Sequence, residues 1–299
     1  MSILKIHECP LCGKKDFNRL MTCKDHYATG ETFDLCQCVH CGFIFTQNVP
    51  SEDEIGRYYE SPDYISHTDT HKGLMNSVYH KVRRYMLSRK YALVCRYAAA
   101  DKGKLLDIGA GTGYFAHFMQ TKGWTVTAIE KSDKARQFAK DNFGLNVLPP
   151  QQLAGLESNS FHVVTLWHVM EHLEHLNDTW NQLNRILNPD GILVVAVPNP
   201  LSADADHYGN MWAAYDVPRH LWHFSAPVMQ QFGAKHGFEL VKEYPMPFDA
   251  FYVSMLTERY KESGLPFFKG LVVGTKAWCS ALGNKEKSSS IIYIFRKKQ

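Results

Sequence analysis

The residues most able to do chemistry are those of Asp107-Ile108-Gly109-Ala110-Gly111-Thr112-Gly113, which follow an apolar run and precede a helix-like apolar segment beginning Tyr114-Phe115. An acid followed by alternating glycines reads as a buried strand entering a tight loop and then a helix. Glycine lets backbone approach a ligand where a Cβ would intrude. The helix start adds unpaired N–H groups and the positive end of a dipole. A second strand, Thr125–Ile129, ends in Glu130, and an acid at that place can take both hydroxyls of a ribose. The pair implies a nucleoside-containing ligand. Tyr114 stands where a G-x-G-x-x-G dinucleotide loop would carry its last glycine, which weighs against NAD.

Two further groups have chemical potential. Cys9-Pro10-Leu11-Cys12-Gly13 and Cys38-Val39-His40-Cys41-Gly42 are C-x-x-C-G knuckles, and six of the eight cysteines fall within the first 41 residues. Four thiolates in this spacing form a zinc ribbon, with a closed, structural, tetrahedral site at Cys9, Cys12, Cys38 and Cys41. Metal would then supply much of the folding energy of so small a unit. Cys36 and His40 are weaker competitors, and Cys23, Cys95 and Cys279 read as buried thiols. Basic residues are sparse around the knuckles, so the ribbon is expected to brace a neighbour rather than grip nucleic acid. The second group lies further on. Strand Phe161–Leu166 delivers Trp167-His168-Val169-Met170-Glu171-His172 to the carboxyl edge of a sheet, where ligands bind in open α/β folds. After it, Asp216-Val217-Pro218-Arg219-His220-Leu221-Trp222-His223-Phe224-Ser225 sets two histidines among aromatics, which suits a pocket wall with a base or, equally, packing at the next helix start.

The elements that must position these groups alternate. A helix start is read at Pro50 to Glu54, with Tyr58, Tyr59 and Tyr64 at its end and in the next turn. A long helix runs from Asn76 to Ala100, with apolar Val78, Val82, Tyr85, Met86, Leu93 and Val94. Strand Lys104–Ile108 precedes helix Tyr114–Lys122; strand Thr125–Ile129 precedes helix Asp133–Asn142, with Ser132 as N-cap. Short strand Asn146–Leu148, strand Phe161–Leu166 and helix Leu176–Leu187 follow, then a turn at Asn188-Pro189-Asp190-Gly191. Strand Ile192–Val197, helix Pro227–His236, a strand near Glu239–Tyr244 and a last strand Ser290–Arg296 complete the series. Such alternation argues a parallel sheet. Between Gly264 and Gly283, Leu265, Phe268, Leu271, Val272, Ala277, Trp278 and Leu282 recur at helical spacing. That helix reads as packed on the sheet, as a lid over an apolar acceptor, or as a peripheral membrane contact.

From Tyr91 to Arg296 the chain resembles class I S-adenosylmethionine (SAM)-dependent methyltransferases. The resemblance rests on the glycine loop, Glu130, Phe161-His162-Val163-Val164, Glu171-His172-Leu173, Leu187-Asn188-Pro189-Asp190-Gly191 and Pro198-Asn199. It implies a Rossmann-like seven-stranded α/β sheet with helices on both faces, SAM as donor, and a cofactor site of Asp107, Gly109, Ala110, Gly111, Thr112, Gly113, Glu130 and Trp167. The family usually has Asp where His162 stands, and often an acid near Gln151-Gln152 to read the adenine. Zinc-ribbon sugar C-methyltransferases carry similar H-x-x-H/F-S segments, and matching them makes His220 the acceptor-side base, with Arg219 in place of their acid. His168, Glu171 and His223 are then expected nearby. His168-x-x-Glu171-His172 also resembles the E-x-x-E-H metal motif of RNA 3′-terminal 2′-O-methyltransferases, with His220 at the place of their downstream histidine; Glu171-His172 is equally common in class I members without metal.

The 299 residues are 45% hydrophobic, and the net charge of +3 comes from 33 basic and 30 acidic residues. That balance gives no case for bulk nucleic-acid binding. No apolar run approaches the ~20 residues a bilayer span needs, and Met1 to Glu8 lacks a signal-peptide core, so a cytoplasmic protein is expected. The expected organisation is a ribbon over 1–50, a helical linker or lid over 51–103, and a methyltransferase domain over 104–299 with an insertion near 245–287. The expected acceptor is a small molecule methylated at O or C, such as a sugar, glycosylated or lipid-linked intermediate. The alternatives are a ribbon-led nucleic-acid or protein methyltransferase and a metal-assisted O-methyltransferase.

Overall fold

A computed structural model describes residues 3–51, 54–59, 74–100, 102–246 and 248–298, with side chains of the first long helix described from His80 onward. Tyr64 and Val78 therefore lie outside what is described. Strands are β1 Ile3–Leu4, β2 Phe17–Lys24, β3 Thr32–Cys38, β4 Ile44–Gln47, β5 Val49–Pro50, β6 Lys104–Ile108, β7 Thr125–Ile129, β8 Val147–Leu148, β9 Phe161–Trp167, β10 Leu187–Pro198, β11 Trp222–His223, β12 Phe238–Pro245 and β13 Ser290–Lys297. Helices are α1 Leu74–Tyr97, α2 Tyr114–Thr121, α3 Asp133–Phe143, α4 Leu176–Ile186, α5 Ala203–Tyr208, α6 Ala226–Lys235, α7 Asp249–Tyr260 and α8 Pro266–Gly283.

Seven strands form one sheet in the order β12-β13-β10-β9-β6-β7-β8. Strands β8, β7, β6, β9 and β10 are mutually parallel, but β13 runs antiparallel to both β10 and β12. The all-parallel expectation is thus corrected at that edge: β13 enters between two strands already laid down. The period-2 pattern explains why helices cover both faces. Leu105, Val163, Ile192 and Val194 face α1 and α2 through Val94, Phe115 and Met119. Their neighbours Leu106, Val164, Leu193 and Val195 face α4 and α6 through Trp180, Leu183 and Phe232. Ser132 caps α3 as expected, its Oγ accepting the Ala135 N–H at 3.3 Å. The turn read at Asn188 to Gly191 appears as a register break between Leu187 and Ile192 inside β10.

The N-terminal strands make a second sheet, β11-β4-β3-β2, and its fourth strand is not local. Trp222 and His223 pair with Phe45 and Ile44. Phe43 is fully buried between Trp222, Phe224 and Phe232, with ring centroids 5.2–5.8 Å apart. The knuckle unit and the large sheet therefore share one apolar core.

Three expectations need correction, and one helix went unread. Only a 3-10 turn, Ile55–Tyr58, follows the signal at Pro50 to Glu54. Cys95 and Cys279 are exposed, and of the three extra thiols only Cys23 is buried. The α8 helix does not lie on the sheet. It packs on α7, where Gly270 sits so close to the Met255 backbone that a Cβ would come within 2.5 Å of its Cα. Finally, α7 itself was not read from the sequence, because Ser254, Thr257 and Glu258 are buried on its inner face and mask its apolar period.

Candidate active site and cysteine cluster

The loop between β6 and α2 closes under Glu130. Gly109, Gly111 and Gly113 all have positive φ, and a Cβ on Gly109 would lie 2.2 Å from Val169. Nothing lies within 4 Å of where a Cβ on Gly111 would stand, so that side of the loop is open to a ligand. Glu130 Oε2 accepts the Gly111 N–H and Oε1 the Ser132 N–H, each at 2.8 Å. Each oxygen keeps a lone pair for a further donor, the arrangement a ribose diol needs. Ala110 and Thr112 belong to the same loop and are half-buried. Asp107 lies underneath, 2% exposed, accepting from Thr165 Oγ1 at 2.7 Å. Burial lifts its carboxyl to about 7 against that bond and the nearby Lys90 ammonium. Gln151 and Gln152 are exposed on a 3-10 turn.

Lys90, on α1, was missed by sequence reading. Its ammonium stands 4.1 Å over the Trp167 ring, and burial lowers its pKa to about 8 although Asp107 and Asp249 pull the other way. Nothing in helical periodicity distinguishes it from the other basic residues of α1.

Beyond Trp167 the chain bends sharply. His168 takes φ 57°, a strained value for a non-glycine residue that points to a functional constraint. Its Nε2 lies 3.1 Å from Asp249 Oδ2 and its Nδ1 3.4 Å from Glu171 Oε1. Burial alone would depress this histidine; the two carboxylates outweigh it and raise its pKa to about 10. At neutral pH His168 is an imidazolium between two carboxylates, without a free lone pair. Asp249 comes from α7, the helix hidden from sequence patterning.

Glu171 is 1% exposed, and neither carboxylate oxygen makes a hydrogen bond. One ligand atom each from Glu171, His172 and His220 lie within 4.8 Å of one another, and the two rings meet edge to face at 4.5 Å. His220 Nδ1 donates to the Ala214 carbonyl at 2.9 Å and His172 Nδ1 to that of Arg219 at 3.0 Å. In a neutral ring of this tautomer the lone pair is on Nε2.

His223, expected beside His220 as part of a pocket wall, goes elsewhere. Its Nε2 donates to Thr46 Oγ1 at 3.0 Å, while Thr46 donates to the His220 carbonyl at 2.6 Å. It fastens β4 to β11. Burial, then the charge of His220, push its pKa down to about 3, against the pull of Glu171 and Asp216; Tyr215 covers its ring edge-on at 5.4 Å. Below the unfolded pKa near 6.5, the unfolded chain takes up a proton here that the folded chain refuses, so stability falls as pH drops from about 6.5 towards 3. Urea midpoints across this range should fall more steeply for the parent than for His223→Gln; parallel slopes would mean that His223 titrates normally in the fold.

Arg219, which stands in place of the expected acid, ties the segment before β11 to the N-terminal unit. It bonds Asp216 through Nε and Nη2 at 3.0 and 2.6 Å, Asp25 at 3.1 Å and the Tyr58 carbonyl at 2.7 Å. Asp25 in turn accepts the N–H groups of Tyr27, Ala28 and Thr29.

The sulfurs of Cys9, Cys12, Cys38 and Cys41 all lie within 4.8 Å of one another, with Cys9–Cys41 and Cys12–Cys38 at 3.5 Å. A tetrahedron with Zn–S of about 2.3 Å has edges of about 3.7 Å. In both knuckles the glycine N–H returns to the first cysteine carbonyl, Gly13 to Cys9 at 2.8 Å and Gly42 to Cys38 at 2.9 Å. Cys36 and His40 are not in the cluster.

The strand order, the glycine loop and the acid ending β7 define a class I SAM-dependent methyltransferase. A family model described as a methyltransferase domain matches residues 79–243, more than half of the chain, and the chain belongs to that family. Among curated relatives, a ubiquinone biosynthesis O-methyltransferase of Caulobacter sp. (strain K31) is 31% identical over 103 residues, 32% of this chain and 41% of the relative. Its mitochondrial counterpart in Schizosaccharomyces pombe is 32% identical over 101 residues, 31% of this chain and 37% of the relative. The chain thus spans about two fifths of the length of these relatives. Among solved structures, geranyl diphosphate C-methyltransferase from Streptomyces coelicolor A3(2) superposes with a TM-score of 0.50 at 11% identity, covering 77% of this chain and 88% of that one. The likeness shows the fold. No helix among the described residues is long and apolar enough to cross a membrane.

Proposed function

We propose that this protein transfers the SAM methyl group to a hydroxyl of a small molecule, with a structural zinc in the cysteine cluster. The observation that carries the SAM site is Glu130, held by two backbone N–H groups with a lone pair left on each oxygen beside the open face of the glycine loop. The O-methyltransferase names of the curated relatives support oxygen over carbon as acceptor, and net charge +3 gives no support to a nucleic-acid substrate. The acceptor oxygen attacks the methyl carbon in line. The C–S bond breaks with its electrons going to sulfur, leaving S-adenosylhomocysteine. Because the sulfonium is already an activated leaving group, most of the acceleration comes from holding the two reactants in line. Lys90 stands over Trp167, which is expected on the donor side, and Asp249 holds His168 just beyond it; His220 is the residue expected to take the acceptor hydroxyl's proton.

Calorimetric titration with SAM tests the donor site. Glu130→Ala removes a charge-assisted pair of hydrogen bonds and is expected to weaken SAM by about 1.5–3 kcal/mol, on the order of 10- to 100-fold. Equal affinity in mutant and parent would remove Glu130 from the site. A screen with labelled SAM against pools of hydroxylated metabolites tests the acceptor class; label arriving only on macromolecules would refute it.

A further inference from the structure

A cleft of about 590 Å³ lies between α1 and α8, over the edge where β12 ends and β13 begins. That is the size of a small-molecule site. Its wall is apolar: Met86 and Leu93 come from α1, Met246 and Ile292 from the sheet edge, and Trp278 and Leu282 from α8. At the mouth, Tyr85, Trp278 and Leu282 are 49%, 38% and 69% exposed. Large apolar side chains left together in water mark a binding surface.

The charge around the cleft has one sign. Arg89 and Arg96 line it from the same face of α1 as Met86 and Leu93. Among the described residues neither arginine makes an ion pair. By sequence α1 carries six lysines and arginines and α8 two, and neither helix carries an acid. Lys90 belongs both to the cleft and to the donor side, its ammonium standing 4.1 Å over Trp167. Asp107 and Asp249 act on that ammonium, so the uncompensated charge is that of the two arginines. Ala250, also in the wall, adjoins Asp249, which pairs with His168. The cleft thus leads from solvent to the end of β9.

We propose that this cleft binds the acceptor, and that the acceptor is an amphipathic anion. Its apolar part lies along α8, its oxyanion meets Arg89 and Arg96, and the hydroxyl to be methylated lies at the Lys90 end. Guanidinium forks suit an oxyanion. The proposal rests on the O-methyltransferase reading for calling the occupant the acceptor, but not for its binding.

The probe is dodecyl phosphate, titrated calorimetrically into the full chain below its micelle concentration. One molecule per chain is expected. Inorganic phosphate, which lacks the chain, and dodecyltrimethylammonium, which reverses the charge, should each bind at least about 10-fold more weakly. Arg89→Ala combined with Arg96→Ala should weaken dodecyl phosphate about 10- to 100-fold, the worth of a lost charge-assisted hydrogen bond. Ala281→Trp fills the cleft and should abolish binding. Melting curves and SAM affinity, unchanged in the variants, show that neither loss is one of folding; if Ala281→Trp melts early, the arginine pair decides alone. Equal binding of the cationic probe, or unchanged affinity in the arginine variant, would overturn the site. So would several probe molecules per chain bound equally by Ala281→Trp, which would place the amphiphile on the exposed face of α8. Attachment to phosphatidylglycerol vesicles without binding of the monomeric probe would replace the cleft by a membrane surface. Methyl transfer from labelled SAM is assayed separately. Label on the hydroxyls of polar, chainless metabolites alone would take the acceptor out of the cleft and leave the O-methyltransferase reading standing. Label on no hydroxyl, with dodecyl phosphate still bound, would sink that reading and leave the anion site.

Discussion

Protein stripped of zinc is expected to lose SAM binding as well as its N-terminal fold. Structural zinc sites contribute about 10–16 kcal/mol in small zinc-dependent units, comparable to or more than the ~5–15 kcal/mol that stabilises a whole domain. The loss would not stay local. Phe43 is buried against Phe224 and Phe232, β4 pairs with β11, and Thr46 holds both His220 and His223. From there the backbone continues to the site: Leu221 gives its N–H to the Glu171 carbonyl at 2.8 Å. Cys12→Ser, or prolonged chelation, should lower the melting temperature and SAM affinity together, as read by circular dichroism and calorimetry beside elemental analysis. A zinc-free protein that melts like the parent and binds SAM equally well would show that the cysteine cluster holds no structural metal.

The second large effect is expected at Arg219. Its guanidinium is 4% exposed and neutralises Asp25, itself completely buried, and Asp216. Burial pushes the Asp216 carboxyl up, but the charge of Arg219 outweighs this and holds it below the usual carboxylate range. Removing one partner of a buried ion pair leaves an uncompensated charge and costs about 3–5 kcal/mol. Urea unfolding of Arg219→Leu should show a loss of that size. Arg219→Lys should lie between, because an ammonium cannot reproduce the fork to Asp216. Adding Asp25→Asn to Arg219→Leu should recover part of the loss. A loss no larger than that of an ordinary surface substitution would mean that Arg219 is solvated in solution and does not hold Asp25 and Asp216 together.

Much of the geometry of the glycine loop was legible in the chain because it is local. The glycines, the acid before them and Glu130 owe their roles to positions within one strand-loop-helix unit and the strand that follows. The knuckles are likewise short-range: a cysteine pair with a following glycine sets its own turn. Alternating apolar residues placed the strands, since a strand's side chains must face one layer or the other. The arrangement of the histidines was less legible. His168, Glu171, His172, His220 and His223 were all visible as residue types, yet their spacing says nothing of which will meet.

Tertiary structure decided that division. Thr46 claims His223 across 177 positions, and Asp25 claims Arg219 across 194. Asp249 reaches His168 from a helix whose inner face is partly polar and therefore shows no apolar period. His168 keeps its other nitrogen 3.4 Å from Glu171, and His172 and His220 cluster with the same carboxylate. The local pattern of residues along the chain determined the strands, the glycine loop and the two knuckles, because each depends on contacts within a few residues, whereas the antiparallel pairing of β13 with β10 joins residues about a hundred positions apart, such as Ile192 and Arg296. The assignment of each histidine was decided by the packing of the knuckle unit and α7 against the sheet, because a buried polar group takes the partner that the fold brings to it.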